Sequence, residues 1–159
     1  MEDLSAGYYS SPLGIIKVSY SARGITSLAF TNTWYSHARD DLFLQQCYLQ
    51  LDAYFAGKLQ EFDLTLDLRG TEFQLLVWKQ LRTIPFGHTV TYQEVADAIG
   101  KPGAVRAVGH ANGQNPVSII VPCHRVVGSD GSLTGYAGGL WRKKWLLEHE
   151  LKTKQLSLF

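Results

Sequence analysis

Cysteine is scarce in this chain of 159 residues: there are two, Cys47 and Cys123, in unlike surroundings. Two isolated thiols make no disulfide framework, which argues against a small cross-linked secreted fold and leads us to expect both thiols reduced. Long apolar runs are missing, and Met1-Glu2-Asp3-Leu4 has neither the basic segment nor the apolar core of a secretory signal. A cytoplasmic protein with no membrane partner is expected. Paired metal-ligand spacings are absent too; His37 and Cys47 stand alone, so no metal is predicted. Charge bias is small at +1 overall, and 45% hydrophobic with 18% charged residues is ordinary for a soluble chain with a packed core. Divided along its length, the charge separates. Residues 1–69 carry five Lys and Arg against eight Asp and Glu, and residues 70–159 ten against six, so the halves stand at −3 and +4. The later half carries a modest hint of a polyanion partner.

Leu13 to Tyr20 and Ile25 to Phe30 are rich in β-branched and aromatic residues, and Ser21-Ala22-Arg23-Gly24 between them supplies turn chemistry, predicting a hairpin. From about Ser36 to Phe55, Leu44, Cys47, Tyr48, Leu51, Tyr54 and Phe55 recur at helical spacing before Gly57, predicting an amphipathic helix. Phe62, Leu64, Leu66 and Leu68 alternate with polar residues, the pattern of a half-buried strand. Nothing in this first module gathers reactive groups.

The second half is built differently. Thr71-Glu72-Phe73-Gln74 and Thr91-Tyr92-Gln93-Glu94 both fit capping boxes, each opening a helix. Gly100 stops the second, Lys101-Pro102-Gly103 turns the chain, and a further helix starts at Ala104. Two short helices about a glycine-containing turn match the helix-turn-helix arrangement. Its second helix is slim, with Ala104, Ala107, Gly109 and Ala111 and a single Arg106, so it can approach a nucleic-acid backbone but has little with which to read bases. Val117 to Val121 is then expected as a short buried strand, Thr134 to Gly139 as a glycine-rich loop, and Leu140 to Leu151 as a closing helix carrying Trp141, Trp145, Leu147 and Glu150.

The chemistry concentrates in Val121-Pro122-Cys123-His124-Arg125-Val126-Val127. Cys123 stands between an apolar run and a proton-carrying pair. A thiol needs a base to present thiolate at neutral pH, and His124 is suited to supply one, directly or through water. A structural core cysteine beside a histidine is the plainer alternative.

Asn115-Pro116, the Cys123 segment, Gly135-Tyr136-Ala137-Gly138-Gly139 and Trp145-Leu146-Leu147-Glu148-His149-Glu150 together resemble the 6-O-alkylguanine-DNA alkyltransferase family. The resemblance spans residues 70 to 150 by motif and residues 1 to 68 by size and element order. It implies an α+β fold: a small N-terminal ribonuclease-H-like α/β domain over 1–68, a C-terminal mainly helical domain with a winged helix-turn-helix over 69–151, and a tail over 152–159. It implies direct repair without a cofactor, in which Cys123 takes the alkyl group from 6-O-alkylguanine, and less readily from 4-O-alkylthymine, in double-stranded DNA, once per molecule. By the same resemblance His124 is the base, Glu150 its orienter, Asn115 the brace of the active-site turn, and Tyr92 the proton donor to ring nitrogen 3. Backbone groups of Cys123 and Val126 bind the exocyclic amine, the Ala137 amide faces oxygen 6, Tyr136 walls the pocket, and Arg106, with Ala104 and Ala107, meets the DNA and fills the space of the extruded base. Relatives with serine at the Ala137 position have a hydroxyl that this chain lacks.

The last residues, Gln155-Leu156-Ser157-Leu158-Phe159, resemble the pentapeptide by which bacterial DNA-processing proteins bind the replication sliding clamp, read here as an extended tail on a monomer. Two rival functions stay open: a DNA-binding lesion sensor or regulator that transfers nothing, and a cysteine hydrolase that turns over.

Overall fold

Tight turns before Gly14 and Gly24 fold the first strands back on one another. The computed structural model describes residues 5–35 and 41–156, and the chain divides into two units, Met1–Leu68 and Arg69–Phe159. His37, the predicted helix start over 36–40, and Ser157, Leu158 and Phe159 of the terminal motif lie outside the described residues.

In the first unit β1 (Ser5–Ser11), β2 (Gly14–Ser21) and β3 (Gly24–Thr31) form an antiparallel sheet in that order. The predicted hairpin is β2 and β3, whose Ile16, Val18, Ile25 and Leu28 are fully buried. The edge strand β1 was not expected, because Ser5 to Ser11 contains no β-branched residue; it is held by its register on β2, with Tyr9 opposite Ile16. Helix α1 (Leu42–Phe55) starts at Asp41, whose carboxylate accepts from the Phe43 and Leu44 amides, and buries Leu44, Cys47, Leu51 and Tyr54. It stops where expected, with Gly57 left-handed at φ 75°. Burial pushes the Cys47 thiol up to about 12, so that sulfur is an inert core group.

The strand predicted over Phe62 to Leu68 is a correction. Only a parallel bridge between Ile25 and Leu66 forms, with the Ile25 amide donating to Thr65 and the Asp67 amide to Ile25 at 2.9 and 2.8 Å. The period-two burial is present, but one bridge does not make a ladder.

In the second unit α2 (Glu72–Leu81) and α3 (Tyr92–Ala98) both carry the reciprocal capping boxes, Thr71 with Gln74 and Thr91 with Glu94. Val77, Trp78 and Leu81 form the buried stripe of α2, and the Trp78 indole donates to the Ala111 carbonyl at 2.8 Å. That bond ties α2 to α4 (Val105–Gly113), the second helix of the helix-turn-helix. Gly100, at φ 74°, ends α3 and lets the chain turn. Helix α4 buries Val108, Ala111 and Asn112 and exposes Arg106, Ala107 and His110.

Two further expectations are corrected. Val117 to Val121 is a coiled turn, not a strand: the Ile120 amide donates to Ser118 and the Val121 amide to Val117, and buried Ile119 is held at φ 72°. That conformation is strained for a β-branched residue, by about 1–3 kcal/mol, and immediately precedes the reactive segment. Cys123–Arg125 is a 3-10 turn, followed by β5 (Val126–Val127), which pairs in parallel with β4 (Val90–Thr91). The closing helix α5 spans Leu140–Leu156, so residues 152–156, including Gln155 and Leu156, continue the helix where an extended tail was expected. Among the described residues no helix is long and apolar enough to cross a membrane.

Candidate active site

Pro122 lacks an amide and sits at the N-terminal edge of the 3-10 turn, so the chain changes direction at the residue before Cys123. The turn buries three consecutive reactive or charged side chains: Cys123 is 5% exposed, His124 0% and Arg125 7%. Burying a base and a cation together demands compensation, and it comes from one residue of α5. The Glu150 carboxylate is 2.8 Å from His124 Nε2 through Oε2, 2.8 Å from Arg125 Nε through Oε1, and 3.0 Å from Arg125 Nη2. Arg125 Nη1 also donates to the Ile84 carbonyl at 2.7 Å, and the Gly87 amide lies 3.5 Å from Glu150 Oε1. Helix α5 is thus anchored to the cysteine turn and to the loop after α2.

Burial pushes the Glu150 carboxyl up, but His124 and Arg125 outweigh it and hold the group well below the usual carboxylate range. The Arg125 fork is present whether or not the imidazole is charged, so the carboxylate stays ionised. Burial holds His124 below its ordinary value despite Glu150, so the imidazole is neutral. A neutral imidazole beside an ionised carboxylate places its N–H at Nε2 and leaves the Nδ1 lone pair as the base. Nδ1 is buried and has no hydrogen-bond partner among the described residues.

Burial also pushes the Cys123 thiol up; the Asn115 amide, the Lys143 ammonium and backbone donors pull the other way. Asn115 donates to the Val121 carbonyl at 2.7 Å and accepts from the Val117 amide at 3.0 Å, bracing the strained turn on both sides. Tyr92 donates to the Thr134 carbonyl at 3.1 Å and accepts from the Thr134 hydroxyl at 3.2 Å. Val126 is fully buried, Tyr136 is buried, and Ala137 is exposed on the loop. Ala104 precedes α4 half-buried, with Arg106 and Ala107 exposed one turn on.

Three side chains here were not singled out from sequence. Arg125 was noted only as part of the motif. Lys143 is completely buried, donates to the Thr134 carbonyl at 2.7 Å and has its ammonium 5.9 Å from the Tyr92 ring centre. Burial lowers it from the ordinary lysine value while the Cys123 thiolate opposes the shift. The available signal was spacing, since Lys143, Leu146 and Glu150 fall on one stripe of α5 and are its buried residues. Asn112, also buried, donates through Nδ2 to the Cys123 carbonyl at 3.3 Å, and that carbonyl already accepts the Val126 amide. Among the described residues no three His, Cys, Asp or Glu side chains gather as a metal site would require.

Two family models cover nearly the whole chain: the 6-O-methylguanine DNA methyltransferase ribonuclease-like domain over residues 4–68 and its DNA-binding domain over 72–152. The chain belongs to the 6-O-methylguanine DNA methyltransferase family. A methylated-DNA–protein-cysteine methyltransferase of Mycobacterium tuberculosis is 52% identical over 145 residues, covering 88% of each chain. One of Methanosarcina barkeri is 48% identical over 149 residues, covering 88% of this chain and 92% of its own. The crystal structure of the M. tuberculosis O6-methylguanine methyltransferase superposes with a TM-score of 0.86 at 49% identity, over 95% of this chain and 94% of that one. The M. tuberculosis protein in complex with DNA gives 0.85 at 51%, over 93% of each. The family's two-part α+β fold, ribonuclease-like then helical with a helix-turn-helix, is that of this chain.

The lowered His124 and Glu150 values set a pH dependence of stability. Between the depressed folded value of His124 and about 6.5, the unfolded chain binds a proton that the folded chain does not, so stability falls as pH drops through that window. Glu150 contributes stability above about 4.3, lost as pH falls toward its depressed folded value. The thermal midpoint followed by circular dichroism should therefore decline from pH 7.5 to 5, and His124→Gln should flatten the decline between 6.5 and 5. An undiminished slope in the variant would contradict the buried neutral imidazole.

Proposed function

We propose that the chain repairs alkylated DNA directly, moving the alkyl group of 6-O-alkylguanine, and less readily of 4-O-alkylthymine, irreversibly to Cys123. The observation that carries this reading is the His124 imidazole, fixed by Glu150 at Nε2 with a buried Nδ1 left as a lone-pair base on the residue that follows Cys123. His124 takes the thiol proton, directly or through water, and the sulfur attacks the alkyl carbon in line with the carbon–oxygen bond. The sulfur–carbon bond forms as that bond breaks, and its electrons stay on guanine oxygen 6 and are delocalised into the ring. Tyr92 gives its hydroxyl proton to ring nitrogen 3 of the departing guanine; solvent then moves that proton to nitrogen 1, which restores the ordinary base, and carries the thiol proton from the imidazolium back to the tyrosinate. A thioether offers neither an acidic proton nor a good leaving group, so each molecule acts once.

The target oxygen is inside the stack, so the nucleotide must be extruded at a cost of a few kcal/mol. Arg106 fills the vacated space from the exposed face of α4, while Ala104 and Ala107 allow close approach to the backbone. With no set of base-reading side chains, α4 suits scanning of any sequence through phosphate contacts. In the pocket Tyr136 forms a wall, the Ala137 amide faces oxygen 6, and the exocyclic amine meets the Val126 and Cys123 backbone. The Cys123 carbonyl already accepts two donors, so an incoming amine there displaces the Asn112 amide. The protein acts as a monomer in the cytoplasm without a cofactor. The division of labour follows the chain: residues 1–68 as an N-terminal α/β domain and 69–151 as the alkyltransferase and DNA-binding domain.

Cys123 is the feature that a lesion sensor without transfer would not need, and stoichiometry separates repair from a cysteine hydrolase. Incubated with duplex DNA containing 6-O-methylguanine, the protein should gain one methyl, mapped by peptide mass spectrometry to Cys123 with Cys47 unmodified, and then be inert. Cys123→Ala should bind the same DNA and transfer nothing. Multiple turnovers, or methyl on Cys47, would contradict the reading.

A further part of the proposal is that Gln155, Leu156, Ser157, Leu158 and Phe159 bind the bacterial sliding clamp. Leu156, the last described residue, is 65% exposed and available as an apolar anchor, but clamp binding would unwind the end of α5 to present Gln155 and Leu156 in extended form. Deleting the five residues should abolish retention on immobilised clamp and leave alkyl transfer intact; unchanged retention would remove the idea.

A further inference from the structure

Two consecutive cations of α5 hold the two ends of the glycine-rich loop. Lys143 Nζ donates to the Thr134 carbonyl at one end, and Arg142 Nη1 donates to the Gly138 carbonyl at the other, each at 2.7 Å. Between them the Gly139 amide donates to the Tyr136 carbonyl at 2.9 Å, closing a tight turn whose two central residues are Ala137 and Gly138.

Arg142 is itself braced. Its guanidinium carbon lies 4.5 Å from the Trp141 ring centre, and Trp141 is 57% exposed. A tryptophan so exposed adds little to a core, but beneath a guanidinium it fixes the plane of the fork and removes rotamers that would release the carbonyl. The loop is fitted to this pair: Gly139 is left-handed at φ 93°, and a Cβ there would stand 3.3 Å from Trp141 Cδ1. A residue other than glycine at this position would be strained and would press on the stacked ring.

We propose that Arg142, braced by Trp141, is a positioning residue for alkyl transfer that sets the aim of the Ala137 amide at the departing oxygen. The proposal rests on the alkyltransferase reading and deepens it. As the sulfur–carbon bond forms and the carbon–oxygen bond breaks, negative charge grows on oxygen 6, and a backbone donor stabilises it only when already aligned. Ala137 has no hydroxyl to support its amide, so the alignment of that amide depends on how the turn is held. Arg142 touches no reacting atom; it holds the neighbouring carbonyl, and a misplacement of about 1 Å at a reacting centre costs up to about a hundredfold in rate.

The test is single-turnover transfer with two substrates, 6-O-benzylguanine as the free base and duplex DNA containing 6-O-methylguanine. Arg142→Ala should lower the rate constant at saturation by about tenfold with either substrate. Half-saturation by the free base should stay within about twofold, and DNA affinity in a Cys123→Ala background and the thermal midpoint should be unchanged. Arg142→Lys, which retains a donor for Gly138 without the planar stack, should recover part of the rate; Trp141→Phe should be near wild type and Trp141→Ala below it. A saturating rate constant for Arg142→Ala within about twofold of wild type would overturn the proposal. So would a loss that appears instead in half-saturation, DNA affinity or thermal midpoint. Absence of transfer by the wild-type protein would overturn the alkyltransferase reading and this inference with it, whereas wild-type transfer with an unimpaired Arg142→Ala would overturn this inference alone.

Discussion

One buried carboxylate organises the reactive half of this protein. Glu150 is 1% exposed near the end of α5 and accepts hydrogen bonds from His124 and twice from Arg125. Its charge is tolerated because every strong partner is in place; removing one partner of such a set leaves an uncompensated buried charge, at about 3–5 kcal/mol. The same carboxylate that fixes the imidazole tautomer also fixes α5 against the cysteine turn, so the base and its support cannot drift independently.

The helix carrying the proposed DNA-facing residues shares this frame. Ala111 accepts the Trp78 indole and Asn112 donates to the Cys123 carbonyl, so the last turn of α4 is bonded on one side to α2 and on the other to the nucleophile's own residue. Under the repair reading, a groove-bound α4 places Cys123 at a fixed offset from the extruded nucleotide. The strained Ile119 and its Asn115 brace contribute in the same direction, holding the segment before Cys123 in a conformation that an unsupported chain would leave.

Much of this was legible in the residues. Capping boxes at Thr71 and Thr91 and glycine stops at Gly57 and Gly100 are local signals, and local signals survive folding. The Cys123 segment was singled out from its own residues and Glu150 and Asn115 through resemblance, and the geometry brings His124 and Glu150 into contact across 26 residues of sequence, a distance no periodicity reports. What was missed depends on tertiary partners. Val117 to Val121 has the composition of a strand, but Asn115 captures its backbone at both ends and turns it. Strand β1 is made by its neighbour, not by its own propensity. Lys143 was not singled out because its burial depends on the loop carbonyl it meets, which lies nine residues away.

The most direct measurement of the central claim is the single-turnover rate constant of Glu150→Gln on duplex DNA containing 6-O-methylguanine, taken well below the variant's unfolding temperature. The amide preserves shape and can still meet the imidazole, but it lacks the charge that fixes Nε2–H and leaves Nδ1 as the base. A fall of about tenfold to a thousandfold, with DNA binding retained, is the predicted result. A rate constant within about twofold of wild type in a folded, DNA-binding variant would contradict the account.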